Sequence, residues 1–148
     1  MKKVFLFLSA LALSVTIFAQ QKKTEDVVKF KELAWDFGKI KQGTPVTHNF
    51  AFENISDAPV VIESAVPSCG CTTPVKPEAP IAKGQTDKII AGFNAAAAGP
   101  FNKTITVKVA GIDLPVQLKI TGEVLSADAF TKYQSEKDNS AKPVKSGL

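Results

Sequence analysis

Val46-Thr47-His48-Asn49-Phe50-Ala51-Phe52-Glu53-Asn54 alternates along its whole length. Val46, His48, Phe50 and Phe52 fall on one face of an extended chain, and Thr47, Asn49, Ala51 and Glu53 on the other. A period of two is the mark of a strand with one face buried, because successive side chains of extended backbone point to opposite sides. The same pattern recurs downstream. Phe101, Ile105, Val107 and Val109 alternate with Asn102, Thr104, Thr106 and Lys108. Leu114, Val116, Leu118, Ile120 and Val124 alternate with Gln117, Lys119, Thr121 and Glu123. Shorter runs at Ile89, Ala91 and Phe93, at Val60 with Ile62, and at Val28 with Phe30 predict further strands, and Trp35 to Ile40 adds a first-edge strand.

Turn signals separate these runs. Gly43 precedes the Val46 run, Asn54 to Pro59 follows it, and Ala82-Lys83-Gly84 leads into the Ile89 run. Gly99-Pro100 precedes Phe101, and Gly111 to Asp113 reads as a short hairpin joining the last two strands. After the leader no stretch shows a helical period. Ala95 to Ala98 is bounded by Asn94 and Gly99-Pro100, so it has room for a single turn at most. Six or seven short strands in roughly 100 residues predict an all-β fold, an immunoglobulin-like β-sandwich of about seven strands over residues 28–125. A small closed barrel is the alternative.

The N-terminus reads as a cleaved signal peptide over residues 1–19. Lys2 and Lys3 form a basic start, Val4 to Phe18 is apolar except for Ser9, Ser14 and Thr16, and Ala19 is a small residue before Gln20-Gln21-Lys22-Lys23. The apolar run is short for a membrane span, so no span is expected after cleavage; an uncleaved anchor is the alternative. No Cys stands immediately after the cleavage point, so lipoprotein processing is not suggested. The expected location is outside the cytoplasm, in the periplasm or at the cell surface and beyond. Residues 20–27 read as a linker. Residues 126–148 carry few large apolar side chains and read as a flexible C-terminal tail.

The chain has a formal charge of +4. Loss of Lys2 and Lys3 leaves 16 Lys against 14 carboxylates, about +2. Arg is absent and the Lys residues are scattered. Nucleic-acid recognition relies on Arg forks and basic stripes, so a nucleic-acid partner is not expected.

Two cysteines carry what chemistry the sequence offers, at Pro67-Ser68-Cys69-Gly70-Cys71-Thr72-Thr73-Pro74. Pro and Gly place them on a loop leaving the Val60 strand. Trp35 precedes both, so the wide antibody-type pair around a Trp is absent. Four readings stand side by side. Cys69 and Cys71 could form a disulfide, favoured by an oxidising compartment and by a Gly70 able to adopt the backbone of a tight ring. So short a loop removes little unfolded-state entropy, and the bond is expected to be strained and more reducible than a structural staple. They could be buried free thiols. They could bind Cu(I) or Zn(II), with His48, the sole imidazole, as a third ligand. They could be redox-active, although the spacing is not Cys-x-x-Cys and no βαβ pattern surrounds it. His48 itself reads as a neutral core or edge histidine hydrogen-bonded to backbone, with a ligand or base as the alternative; it meets the Cys pair only if the loop after Val66 folds over its strand.

Enzyme classes find little support. Asp36, Asp57, Asp87 and Asp113 all lie near turns, where carboxylates cap backbone groups. No phosphate loop precedes a helix and no Gly-x-Ser-x-Gly elbow exists. Trp35 and Tyr133 read as isolated rings, too few for a sugar platform.

Trp35-Asp36-Phe37-Gly38-Lys39-Ile40, then Gly43, then His48 to Asn54 resembles the opening motif of a known family. Ser68-Cys69-Gly70-Cys71-Thr72 resembles its central signature, Lys83-Gly84 its Pro-Gly turn with Lys replacing Pro, and Thr121-Gly122-Glu123-Val124 its closing Gly-x-Val. This is the secreted bacterial domain of unknown function 1573 family, similar in fold to Hydin-type and major-sperm-protein-like immunoglobulin domains. The resemblance covers about residues 28 to 125. It implies a sandwich of seven to eight strands and no enzyme activity, and its characteristic positions map onto Phe37, Gly38, His48, Asn54, Cys69, Gly70 and Cys71. The expectation is therefore an exported, non-catalytic binding or scaffold module without a cofactor, meeting a protein or other cell-envelope component. The alternative is a Cu(I)- or Zn-binding or thiol-redox protein using Cys69, Cys71 and His48.

Overall fold

The computed structural model describes residues 21–141. The leader read at residues 1–19 and the last seven residues of the tail lie outside the described residues. A short 3-10 turn, Thr24–Asp26, is followed by β1 (Val28–Phe30), β2 (Ala34–Lys41), β3 (Val46–Asn54), β4 (Ile62–Pro67), β5 (Thr72–Val75), β6 (Thr86–Phe93), β7 (Gly99–Val109), β8 (Val116–Leu125) and a helix, α1 (Ala127–Ala141).

The strands form two four-stranded sheets, in the orders β1-β3-β6-β5 and β2-β8-β7-β4. Both sheets keep free edges, so the sandwich is formed and the closed barrel is not. The two outer strands at the start of the chain belong to different sheets. β1 pairs antiparallel with β3, whereas β2 pairs parallel with β8. The chain therefore switches sheets across Lys31–Leu33, and this crossover closes one flank of the sandwich.

Alternation decided which faces are buried. Phe50 and Phe52 of β3, Ile89 of β6, Ile105 and Val107 of β7, and Leu118 and Ile120 of β8 are wholly buried between the sheets. Each such side chain contributes about 1.5–3 kcal/mol on full burial. The long β7–β8 hairpin aligns Val107 with Val116 and Ile105 with Leu118, so both strands direct the same face inward.

Four details differ from the sequence reading. Residues 20–27 are no detached linker where described: Thr24 and Val27 are buried, and the Thr24 amide and hydroxyl both donate to the Leu114 carbonyl at 3.0 and 2.9 Å. Leu114 pairs there rather than within β8. β5 was not expected, since Thr-Thr-Pro-Val is short and contains a proline; as an edge strand it tolerates Pro74. Val60 makes only an isolated bridge, to Ile81, before β4 begins at Ile62. Finally, the expected tail carries α1. The Ser126 carbonyl accepts from the Phe130 amide at 2.8 Å, starting a mostly polar helix that packs lightly on β2 and β8. Phe130 and Tyr133 lie three apart on one face, and Lys39 Nζ sits 4.9 Å from the Tyr133 ring centre.

Candidate functional site

The opening motif is a clamp across the sheet-switching flank. His48 extends from β3 and lies flat on Trp35 of β2, with ring centres 4.0 Å apart and planes 7° from parallel. Phe37 and Phe50 meet the same imidazole edge-on, at 6.5 and 4.8 Å. Its Nε2 lies 2.8 Å from Glu32 Oε1, in the crossover itself. With an ionised carboxylate, the ring nitrogen is the donor. His48 thus bonds to a side chain rather than to the backbone partner expected of it. Trp35, expected to stand alone, is one wall of an aromatic cluster that continues through Phe37 to Phe101 and Phe93.

Gly38 and Gly122 explain two further motif positions together. Gly38 has φ +64° at a bulge in β2, where its amide donates to Asp36 Oδ1 at 2.9 Å. Gly122 faces that bulge from β8 at φ +155°. The backbones approach so closely that any side chain on Gly122 would strike the Gly38 carbonyl and the Phe101 ring.

Asn54 is a structural anchor. It is fully buried at the end of β3. Its Nδ2 donates to the carbonyls of Ala58 at 2.8 Å and Ile81 at 2.9 Å, and its Oδ1 accepts from the Ser56 amide at 2.9 Å and hydroxyl at 2.7 Å. One amide therefore ties together the turn after β3 and the loop before β6, and every polar atom it buries is satisfied.

Cys69 and Cys71 form a disulfide, with Cα atoms 5.3 Å apart. The pair sits on the turn that carries the chain from β4 in one sheet to β5 in the other. Both cysteines are half-exposed and Gly70 is exposed. Hydrogen bonds hold both ends of the turn. Ser68 exchanges bonds with Thr104 of β7, its amide donating at 2.8 Å and its Oγ accepting at 3.1 Å. The Cys71 carbonyl accepts from Asn94 at 3.1 Å, and the Thr72 amide closes the turn onto the Cys69 carbonyl at 3.2 Å. The φ of Gly70 is not in the left-handed region, so the ring closes without using glycine's extra conformational freedom. Nothing lies within 4 Å of where its Cβ would be.

The structure does not bring His48 and the cysteines together. β6 lies between β3 and β5 in the sheet, so the loop after Val66 folds onto the far side of β6 rather than over β3. Among the described residues, no three His, Cys, Asp or Glu side chains gather into a group that could hold a metal ion. Glu32, Gly122 and Thr72 are the residues that sequence reasoning did not single out for these roles. Gly122 was visible as part of a motif; the pairing of Glu32 with His48 has no sequence signal, because it depends on where the crossover runs.

Residues 28–124 match the family model described as a protein of unknown function, DUF1573. The chain belongs to the DUF1573 family. As a DUF1573 domain it shares its fold with solved structures of low sequence identity. One is a protein of unknown function from Porphyromonas gingivalis W83, 14% identical with a TM-score of 0.57 over 66% of this chain and 46% of that one. The PapD-like domain 7 of human CEP192 is 11% identical with a TM-score of 0.56, over 68% of this chain and 87% of that one. The Vibrio cholerae VesB protease is 12% identical with a TM-score of 0.53, over 69% of this chain and 33% of that one. The chain thus spans about half of the first of these proteins and a third of the last. No curated protein matches the sequence. Among the described residues no helix is long and apolar enough to cross a membrane.

Proposed function

We propose that this DUF1573 domain is an exported, non-catalytic binding module that takes an extended segment of another cell-envelope protein along its β4–β5 flank. One observation carries the reading: the two flanks of the sandwich are unlike. On the β1–β2 flank the crossover, fixed by the His48 clamp, joins the two edge strands and α1 packs lightly on β2, and the apolar side chains there, Leu33 and Trp35, are less exposed, at 41% and 39%. On the other flank β4 and β5 are both edge strands. Val66 and Val75 there are 57% and 58% exposed, beside a shallow depression that includes Ala65, Pro74 and Lys76. An uncovered edge with apolar side chains is a template for a further strand, in which main-chain bonds supply affinity and side chains supply selectivity. Export rests on the sequence of residues 1–19.

Native-size analysis of the exported fraction tests this. The wild-type protein is expected in an assembly larger than the processed chain alone. Val66→Lys with Val75→Lys, both on exposed positions, should release a folded monomer. A wild-type protein that runs as a free monomer in its native compartment, or an assembly indifferent to both substitutions, would overturn the reading.

A further inference from the structure

We infer that the Cys69–Cys71 disulfide is a thiol-exchange site, which accepts two electrons from a partner carrying a pair of thiols. The inference goes beyond strand binding and stands independently of it.

Three observations converge on the turn. First, the bond is structurally redundant. It encloses a single residue, and hydrogen bonds from Asn94, just after β6, and from Thr104 of β7 already hold the turn on both sides. Second, the space above the turn is open. Gly70 is exposed, its backbone does not require glycine, and no atom of the chain comes within 4 Å of its missing Cβ. What the glycine leaves free is therefore the approach from outside. Third, the two sulfurs differ. Thr72 is 1% exposed, and its hydroxyl oxygen lies 3.7 Å from Cys69 Sγ. A disulfide sulfur has no proton to give, so the hydroxyl is the donor. Cys71 instead packs against the apolar core.

This asymmetry sets the direction of exchange. A partner thiolate attacks Cys71 Sγ, a new sulfur–sulfur bond forms, and the Cys69–Cys71 bond breaks. The electron pair leaves on Cys69 as a thiolate, which receives the Thr72 hydrogen bond; a better-stabilised thiolate is the faster leaving group. The partner's second thiolate then attacks its own sulfur in the mixed disulfide and expels Cys71. The partner ends as a disulfide. Cys69 and Cys71 end as thiols after taking up the partner's two protons, and the sequence is reversible. Thr72 is a positioning residue and does not touch the partner.

The test uses the whole mature chain and two probes: glutathione, and a peptide with two cysteines in extended sequence. After acid quench and alkylation, intact mass should show peptide disulfide appearing one for one with Cys69 and Cys71 thiols. Thr72→Val should slow the exchange roughly fivefold through loss of one hydrogen bond, and Thr72→Ser should restore it. Gly70→Val should slow the peptide while leaving glutathione nearly unaffected if the natural partner is a protein; equal slowing of both would assign the site to small thiols. A wild-type disulfide that neither probe opens, or exchange indifferent to Thr72→Val, would overturn the proposal. Exchange in the wild type needs no substitution, so a failure of any variant to fold leaves the first measurement decisive.

Discussion

Gly122 of β8 and Gly38 of β2 meet backbone to backbone: a Cβ on Gly122 would lie 2.8 Å from the Gly38 carbonyl oxygen and 2.8 Å from the Phe101 ring. The contact is where the strand that switches sheets is seated on its parallel neighbour. Gly122→Ala combines this overlap with a backbone angle that side chains rarely adopt. It should destabilise the domain by about 2–4 kcal/mol, measured by urea unfolding. Gly70→Ala, at a position with open space and no positive φ, should change stability by less than about 0.5 kcal/mol.

The clamp at His48 should behave as a coupled unit. His48→Ala removes the stack on Trp35 and leaves Glu32 without its partner, at a cost of about 1–3 kcal/mol. Glu32→Gln alone should cost less, because an amide can still accept from the ring and Glu32 is partly exposed. A double-mutant cycle on His48 and Glu32 should therefore give a non-zero coupling. Additive effects would mean that the 2.8 Å contact contributes nothing to holding the crossover.

Asn54 should be the costliest polar residue to lose. Asn54→Ala leaves the Ser56 amide without its acceptor, takes one of two donors from the Ile81 carbonyl, which keeps the Val60 amide at 2.9 Å, and opens a cavity at a fully buried site; it should cost about 2–4 kcal/mol in chemical denaturation. Asn54→Asp should be no milder, since a carboxylate would face the Ala58 and Ile81 carbonyls where an NH2 now donates.

Much of this was legible beforehand, for a definite reason. A side chain's face on a strand follows from counting by two, so Phe50, Phe52, Ile105, Val107, Leu118 and Ile120 were identifiable as core from spacing alone. Asn54, Gly38 and the Cys pair were visible as motif residues, but what they do depends on distant partners. The Ile81 carbonyl, the approach of Gly122 and the hydroxyl of Thr72 are placed by tertiary packing. β5 escaped because four residues including Pro74 carry too little pattern. The helix after Ser126 escaped because its residues are mostly polar, so helix propensity and a few contacts at Phe130 and Tyr133, rather than an apolar stripe, define it.

Opening the disulfide should leave the fold standing. A bond enclosing one residue stabilises by less than about 2 kcal/mol, against about 3 for a fifteen-residue loop. Cys69→Ser with Cys71→Ser should thus lower the thermal midpoint by only several degrees while retaining the β-sheet signature in circular dichroism. A loss of 4 kcal/mol or more would make the bond a structural staple and remove the argument that the turn is held without it.

Site-specific photocrosslinking in living cells probes the binding reading most directly. A photoreactive residue is placed in turn at Val66, at Val75 and, as a control on the opposite flank, at the exposed Lys39. The account predicts a discrete covalent adduct to one envelope protein from positions 66 and 75 and none from position 39. Adducts from position 39 alone, or none from the β4–β5 flank while the protein is exported and folded, would contradict it.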